Sequence, residues 1–242
     1  MENSLYLGLS RQMVLRTDMN IVANNVANVD TNGYRGQNLI FEEYISKPRG
    51  YDDPLSFVAN RGQYQVSDAG PLKATENPLD VALVGPGFMG VVGPDGEIAY
   101  TRDGSFQIDA NGTLITQAGH AVASAGGGQI TIPQGSTEVR IDEKGNVSNQ
   151  DGQLGQIMIA EFDNVQDLEQ FGDNLYGIGN GTAIEASNTR AKQGYLEGSN
   201  VKSVLEMSRM IKISREYQSL QNMMNSENER LREAIRKLTD TG

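Results

Sequence analysis

Glycine and proline are distributed very unevenly along this chain of 242 residues. Residues 1–32 contain a single glycine, Gly8, and no proline, and residues 199–241 contain neither. Because both residues interrupt helices and populate tight turns, this distribution favours two helical ends around a turn-rich middle. We therefore expect an α+β fold with long N- and C-terminal α-helices and an inserted, mostly antiparallel β domain.

An apolar seam with coiled-coil spacing runs along the N-terminal segment. Its members, spaced four and three residues apart, are Leu15, Met19, Val22, Val26 and Val29. Leu5 and Leu9 extend the seam towards the start of the chain. The segment is rich in asparagine, a poor helix former, so it should be only marginally stable alone. The sequence Asp30–Gly33 predicts the end of this helix and a turn.

A second and longer seam occupies the C-terminal segment. Its apolar members are Met210, Ile213, Tyr217, Leu220, Met224, Leu231, Ala234 and Leu238. We expect Ser199 or Asn200 to cap the helix and Val201, Val204 and Met207 to begin the same apolar face. A helix over 201–238 would be about 57 Å long and needs a partner along its length. The pattern predicts a coiled coil of the two terminal helices, either inside one monomer or dimer, or in a polymer of many copies.

The pattern in the middle of the chain predicts short strands joined by hairpin turns. The predicted strands are residues 80–84, 88–92, 97–100, 105–109, 113–116, 120–124, 129–132, 137–141 and 155–162. Residues 165–176 predict one short helix. The expected organisation is an N-terminal helix over 1–33, an extended connecting segment over 34–76, a β domain over 77–190 and a C-terminal helix over 191–242.

The composition excludes several classes of function. The formal net charge is −11, so the chain is not a polybasic nucleic-acid binder, and anionic membranes would repel it. The absence of cysteine and the single histidine exclude disulfides, thiolate metal centres and two-histidine zinc motifs. No stretch approaches the roughly 18 apolar residues of a membrane span. The N-terminus lacks the basic head and unbroken apolar run of a cleavable signal peptide.

Three local motifs suggest chemistry but have simpler interpretations. Gly85–Gly90 matches GxGxxG, yet a strand and a hairpin turn follow it where a dinucleotide site requires a helix. His120 has no local nucleophile or second ligand beside it. The aspartates of the turns lack calcium-loop spacing. We therefore expect no catalytic residue, no cofactor, no metal and no enzymatic activity. A β-domain enzyme or glycan-binding protein that its helices dimerise is the alternative.

Four long motifs follow one another along the chain. They are ANNVANVDTNGYR (23–35), NPLDVALVGPGFMGV (77–91), YTRDGSFQIDANGTLITQAGHAV (100–122) and GYLEGSNVKSVLEMSRMIKISREYQ (194–218). Together and in this order, they resemble the flagellar rod and hook family of bacteria. The resemblance implies a structural subunit of the flagellar basal-body rod, whose paired terminal helices form the rod core and transmit torque. The single middle domain and the charged tail ENERLREAIRKL resemble proximal rod subunits more than distal ones.

The resemblance also implies partners and a location. The partners would be copies of the chain itself, other rod subunits and the flagellar type III export apparatus. The protein would leave the cytoplasm without a cleaved signal and reside in the rod that crosses the periplasm. Its terminal helices would be disordered in the free subunit and fold on assembly.

The assembly interface is predicted to combine the two seams. The N-terminal seam residues would face Met210, Ile213, Tyr217, Leu220 and Met224, with Leu231 further along the C-terminal helix. Asn24, Asn25 and Asn28 belong to the first motif and either bridge neighbouring subunits or terminate the helix. Both interpretations of the asparagines stay open from sequence alone.

Overall fold

The computed structural model describes residues 2–46, 55–136 and 138–239. These residues divide into two compact units. The helical unit takes its described residues from Met1–Ala27, Gln37–Tyr64 and Lys202–Gly242. The β unit consists of Asn28–Gly36 and Gln65–Val201. The chain thus enters the β unit twice, after Ala27 and after Tyr64, and the third stretch of the helical unit follows Val201.

Both ends of the chain are helical, as the glycine and proline distribution predicts. Helix α1 spans Glu2–Ala27, and helix α2 spans Ser203–Thr239. The predicted caps of α2 were wrong. The carbonyl of Lys202 accepts the first helical hydrogen bonds, from the amides of Leu205 and Glu206 at 3.0 and 3.1 Å. Ser199 and Asn200 lie upstream, where Asn200 bonds to the backbone of the β unit.

The two helices pack against each other in opposite directions. Near the end of α1, Asn25 donates to Glu206 at the start of α2, while Gly8 lies beside Met224 further along α2. One hydrophobic cluster fills the space between the helices, and it consists of Leu15, Met19, Val22, Val26, Met210, Ile213, Tyr217 and Leu220. The helical pair is therefore a feature of the fold, while its packing as a regular coiled coil stays a prediction.

A two-stranded antiparallel hairpin completes the helical unit. Its strands are β1, Gln37–Ser46, and β2, Leu55–Gln65. Leu39 of β1 and Val58 of β2 pack on Val14 and Ile21 of α1. From the sequence, only extended connecting structure is expected over 34–76, because this stretch is polar on the whole and contains scattered glycine and proline.

Short strands build the β unit. They are β3 Leu72–Ala74, β4 Val81–Val84, β5 Phe88–Val92, β6 Ile98–Thr101, β7 Phe106–Ile108, β8 Leu114–Thr116, β9 Arg140–Ile141, β10 Asn146–Asn149, β11 Gly152–Gln156, β12 Ile159–Glu161, β13 Leu168–Phe171, β14 Leu175–Ile178, β15 Ile184–Glu185, β16 Arg190–Gln193 and β17 Tyr195–Glu197. The largest sheet has the order β13-β14-β6-β5-β12-β15, and its pairings are antiparallel. The remaining strands form the three-stranded sheet β11-β10-β9 and the pairs β16-β4, β17-β3 and β7-β8.

The antiparallel character of the middle is confirmed, and clusters of buried side chains form its core. Phe88, Tyr100, Phe162 and Tyr176 are buried together, with edge-to-face contacts among their rings at centroid distances of 4.9–5.8 Å. A larger aliphatic cluster lies beside them in the same unit and includes Leu83, Met89 and Leu114. These clusters fix the β unit as a self-contained fold.

Some predicted elements differ from the structure. Residues 120–124 and 129–132 form isolated bridges instead of continuous strands. Of the predicted strand 137–141, residue 137 lies outside the described residues, and only Arg140–Ile141 is a strand. The predicted strand 155–162 is divided between β11 and β12.

The predicted helix over 165–176 was wrong. Only Val165–Asp167 is helical, as one 3-10 turn, and the hairpin β13-β14 follows. Gly172, Asp173 and Asn174 have positive φ values of 26°, 51° and 57°, which form the tight turn of that hairpin. A short apolar pattern cannot distinguish a helix from a strand when asparagine and glycine supply such a turn.

Candidate assembly interface

The seam between α1 and α2 is tightly packed at its centre. Val22 and Ile213 are 0% and 4% exposed, and Leu15 is buried beside them. Met19, Val26, Met210, Tyr217 and Leu220 are partly buried around this centre. The structure thus brings together, within one chain, four predicted residues of each helix.

Met224 extends the seam beyond this cluster because α1 has a glycine opposite it. A Cβ atom built on Gly8 would lie 3.2 Å from the Cγ and Sδ atoms of Met224. The missing side chain therefore leaves room for the methionine.

Two predicted seam residues lie elsewhere. Val29 follows the end of α1 and belongs to the β unit, because the helix ends at Ala27. Leu231 is partly buried on α2 but is not a member of the cluster between the helices. The heptad spacing of the α1 seam continues in the sequence to Val29, although the helix itself ends at Ala27.

Three further residues expected on the seams are exposed. Leu9 of α1 and Val204 and Met207 of α2 are 48%, 73% and 51% exposed. Each fits the apolar spacing within one or two turns, but the partner helix does not cover the face that it occupies.

Asn25 connects α1 to the hairpin of the helical unit. Its Nδ2 donates to the carbonyl of Gln37 at 2.9 Å, and its Oδ1 accepts from the amide of Gln37 at 2.9 Å. This side chain is buried and pairs with the backbone as a neighbouring strand would. Within the chain, Asn25 joins α1 to β1, which is neither of the two roles predicted for the asparagines, bridging neighbouring subunits or terminating the helix.

The other two asparagines have different surroundings. Asn28 lies in the turn after α1, where its carbonyl accepts from the amide of Thr31 at 3.2 Å and its Oδ1 accepts from the Thr31 hydroxyl at 3.1 Å. This geometry fits the interpretation as a helix terminator. Asn24 is exposed on the last turn of α1.

A buried charge lies on the helical pair, and the sequence analysis missed it. Asp18 forms an ion pair with Arg209 at 2.7 Å, and Arg209 also donates to the side chain of Asn38 at 2.6 Å. Burial raises the pKa of Asp18, and the neighbouring Arg209 opposes that rise. The signal for it was a lone aspartate between the apolar residues Val14 and Ile21 at helical spacing.

A second buried ionic group holds the β unit together. Arg102 and Glu197 form an ion pair with their Nη1 and Oε2 atoms 2.9 Å apart. Arg102 also donates to the carbonyls of Leu83 and Gly85, and Glu197 accepts from the amide of Gly70 at 3.0 Å. Burial lowers the pKa of Arg102 to about 10, an effect that Glu197 opposes. The side chain of Arg102 is therefore held by two separate segments of the unit, residues 83–85 and Glu197.

Arg35 joins the same cluster from the N-terminal motif. The guanidinium groups of Arg35 and Arg102 lie over the ring of Phe88, 5.3 and 5.2 Å from its centroid. Arg35 donates to the carbonyl of Ser67 at 2.9 Å, and burial lowers its pKa. An aromatic face attracts cations, so Phe88 stabilises both buried arginines.

The first segment of the β unit, Asn28–Gly36, bonds to the last residues of the unit before α2. The amide of Gly33 donates to the carbonyl of Glu197 at 2.8 Å, and the amide of Gly36 donates to Asn200 at 2.8 Å. Gly33 has a φ of +66°, and a Cβ there would lie 2.4 Å from the backbone carbon of Arg102. The N-terminal and C-terminal motifs of the sequence thus meet in one place, and glycine is needed for the close approach.

The β unit also has a shallow groove of about 460 Å³. Glu143 and Arg190 on its lining form an exposed ion pair at 3.2 Å. Nearby, the pKa of Glu161 is lowered: burial acts to raise it, but hydrogen bonds from Thr189 and Asn188 outweigh that effect. A carboxyl group of lowered pKa stays ionised and is poorly suited as a general acid.

Within residues 2–46, 55–136 and 138–239, no group of three or more histidine, cysteine, aspartate or glutamate side chains could hold a metal ion. No helix in the same ranges combines the length and apolar character that a membrane crossing needs. The GxGxxG match is followed by strand β5, not by the helix that a dinucleotide site requires.

Family comparisons place the chain among flagellar proteins. Residues 5–35 match the flagella basal body rod protein family. Residues 82–149 match the D1 domain of flagellar hook proteins FlgE/F/G, and residues 192–237 match the C-terminal family of flagellar basal body rod FlgEFG proteins. The matches therefore cover most of the two ends and residues 82–149 of the β unit between them.

Curated relatives match along nearly the whole chain. The flagellar basal-body rod protein FlgF of Caulobacter vibrioides is 39% identical over 242 residues, which cover 98% of each chain. FlgF of Mesorhizobium japonicum is 32% identical over 242 residues, also 98% of each chain. FlgG of Bacillus subtilis is 32% identical over 263 residues, covering 97% of this chain and 98% of the relative. The chain belongs to the flagellar basal-body rod protein family, whose members are structural proteins of the flagellum.

Proposed function

We propose that this protein is a subunit of the proximal flagellar rod that polymerises through its terminal helices and transmits torque from the motor to the hook. One observation carries the proposal: α1 and α2, from opposite ends of the chain, pack into one unit around Val22 and Ile213. Such an arrangement suits a polymer, because a neighbouring copy can contact both ends of the chain through one surface.

The paired helices suit a load-bearing role. Helix α2 has 37 residues, about 56 Å at 1.5 Å per residue. A twisting load on such a pair acts on the packed seam and on the buried Asp18–Arg209 ion pair. Close-packed apolar contacts have low compressibility and transmit strain.

The proximal position rests on the FlgF relatives. They align with 98% of this chain at 39% and 32% identity. FlgG relatives also align, at 32% identity over 97% of the chain for the Bacillus subtilis protein, so a distal position is the alternative. A label on the β unit, located by cryo-electron tomography of basal bodies, decides between them. Signal in the half of the rod near the hook would contradict the proximal position.

Export through the type III apparatus, without a cleaved signal, and residence in the rod across the periplasm are part of the proposal. A chain that passes through a narrow channel must unfold first. The asparagine-rich α1 favours this, because asparagine lowers helix stability. The proposed partners are copies of this chain, other rod subunits and the export apparatus.

The test places a charge in the seam. In a strain that lacks the native protein, Val22→Asp and Leu220→Asp should abolish swimming and remove the subunit from purified basal bodies, while the β unit stays folded. A charge in an apolar contact is costly because no partner is available there.

Val84→Asp is the matched control, since Val84 is an exposed valine of the β unit. It should swim like the wild type. Seam variants that assemble rods and swim normally would contradict assembly through the terminal helices. Absence of the wild-type protein from basal bodies would contradict the rod function itself.

A further inference from the structure

Helix α1 has a second apolar stripe that nothing in the described chain covers. Tyr6, Leu9 and Met13, spaced three and four residues apart, are 48–64% exposed. At 3.6 residues per turn, this α1 stripe lies about 140° around the helix from the seam that faces α2. It is therefore a separate apolar surface and not a frayed edge of the seam.

Helix α2 has an equivalent α2 stripe near its start. Val204, Met207 and Ile211 are 51–73% exposed. They lie about 120° around α2 from the seam residues Met210, Ile213 and Tyr217. The α2 stripe also lies on a face that α1 does not cover.

The two stripes match in spacing and length. Each has three residues at intervals of three and four, so each extends about 10.5 Å along its helix at 1.5 Å per residue. Side chains with equal spacing can interdigitate when two helices pack side by side.

The stripes of one chain cannot meet. Gly8 lies beside Met224, whereas the start of α2 lies beside Asn25, where Asn25 donates to Glu206. Leu9 and Met207 are therefore about 16 residues apart along the helical pair, roughly 24 Å. Any contact between the two stripes must come from two copies.

We propose that the α1 stripe of one copy packs on the α2 stripe of a second copy. This inference rests on the proposed rod function and identifies the surfaces that would carry it. The contact joins two different surfaces, so it is head-to-tail and generates an open chain of copies, each shifted by roughly 24 Å along the helical direction.

The direction of the packing follows from the same geometry. Copies related by rotation and shift along an axis parallel to the helices keep the same direction. Since α1 and α2 run in opposite directions, α1 of one copy is antiparallel to α2 of the next. Leu9 then lies opposite Met207, Met13 opposite Val204, and Tyr6 opposite Ile211.

Disulfide cross-linking tests the contact cleanly, because the chain has no cysteine. Leu9→Cys and Met207→Cys are co-expressed as separate full-length chains in the strain that lacks the native protein, and basal bodies are purified and oxidised. We expect a cross-linked heterodimer, about tenfold more abundant than with Leu9→Cys and Ile235→Cys, because a disulfide requires Cα atoms within roughly 7 Å. Ile235 is an exposed apolar residue of α2 outside the stripe.

Two further combinations of co-expressed cysteine variants test whether α1 of one copy is antiparallel to α2 of the next. Met13→Cys with Val204→Cys should cross-link, and Met13→Cys with Ile211→Cys should not. Basal bodies that contain the variants but give no heterodimer for Leu9 and Met207 would overturn the stripe contact and leave the rod function standing. Absence of the wild-type subunit from basal bodies is the distinct result that overturns the rod function.

A charge pair gives an independent check if the cysteine variants fail to assemble. Leu9→Asp alone should stop assembly, and adding Met207→Lys to the same chain should restore it, since every copy then offers both partners. Failure of the second change to restore assembly would count against the stripe contact.

Discussion

Glu197 and Arg102 form an ion pair with Oε2 and Nη1 2.9 Å apart, and their side chains are 1% and 0% exposed. The pair joins the C-terminal motif of the sequence to the middle motif within the β unit. The backbone of Glu197 also accepts from Gly33 of the N-terminal motif. One buried residue thus holds three distant parts of the sequence together.

Glu197→Gln should strongly destabilise the β unit. The change leaves Arg102 buried without a counter-charge, and loss of one partner of a buried pair costs about 3 kcal/mol or more. Urea unfolding of the full chain, followed by the near-ultraviolet signal of the buried tyrosines, measures the loss.

The matched control is Glu143→Gln, because Glu143 pairs with Arg190 at 3.2 Å on the surface, where both side chains are 73% exposed. It should change the unfolding free energy by no more than about 0.5 kcal/mol. Equal effects of the two substitutions would mean that burial of the Arg102–Glu197 pair is not what stabilises the unit.

The substitutions Ile213→Ala and Ile211→Ala distinguish the seam between α1 and α2 from the exposed α2 stripe. The seam should stabilise the fold of the helical unit, whereas the α2 stripe is proposed to contact a second copy. Ile213 is 4% exposed in the seam, so its truncation should destabilise the helical unit by about 2–5 kcal/mol. Ile211 lies two residues away and is 54% exposed, so its truncation should leave that unit within about 0.5 kcal/mol of the wild type. Hydrogen exchange of α1 and α2 measures both, and similar protection in the two variants would contradict the assigned seam.

Asn25→Asp should detach the hairpin from α1. The carboxylate cannot donate to the Gln37 carbonyl and lies next to Glu206, whose Oε2 is 3.3 Å from the present amide nitrogen. The buried carbonyl that loses its donor makes the cost about 1–3 kcal/mol. Amide exchange of β1 should accelerate in this variant, whereas Asn20→Asp, on the exposed surface of the same helix, should leave it unchanged.

Acid should weaken the turn between β7 and β8 through Asp109. The amide of Thr113 holds the pKa of Asp109 below its usual value of 3.8. Burial opposes this effect, and the amide of Asn111 adds to it. The unfolded chain therefore takes up the proton at higher pH than the folded chain. This contribution is complete above the unfolded pKa and is lost as the pH falls through the folded one.

The substitution Asp109→Asn tests whether the ionised Asp109 carboxylate contributes stability that is lost in acid. Its melting temperature should fall less than that of the wild type between pH 6 and pH 3, measured side by side by circular dichroism. A variant with the same pH dependence as the wild type would show that Asp109 does not contribute.

Limited trypsin digestion of the free subunit should cut both ends and spare the β unit. Arg16, Arg215 and Arg230 are exposed on the helices, whereas Arg35 is buried in the β unit. Mass spectrometry should therefore find cleavage at the first three sites and intact chain across Arg35. Resistance at all four sites would argue against a helical unit that opens more readily than the β unit in the free subunit.

Local pattern was enough to predict several features of this protein. The ends of the chain, which lack proline and contain only Gly8 in residues 1–32 and no glycine in 199–241, predict α1 and α2. The spacing of Leu15, Met19 and Val22 predicts the seam. Hairpin turns such as Asn111-Gly112 predict antiparallel strands. These features depend on helical periodicity and on positive φ angles, which act within a few residues of each other.

Other features depend on which distant segments meet. The exposure of Leu9 and Met207 is decided by which apolar face of each helix the partner covers, since each helix has two faces with spacings of three and four residues. Spacing along the chain shows that a helix has an apolar face but not which partner covers it.

The sequence by itself determined that two helical ends surround a turn-rich antiparallel middle, because propensity and periodicity are local properties. Only the tertiary structure decided that Arg35, Arg102 and Glu197 share one buried cluster, and that Asn25 pairs with the backbone of Gln37. The physical reason is that burying a charge or an amide costs free energy unless a partner is present. The partners of these groups come from segments that only the folded chain brings together.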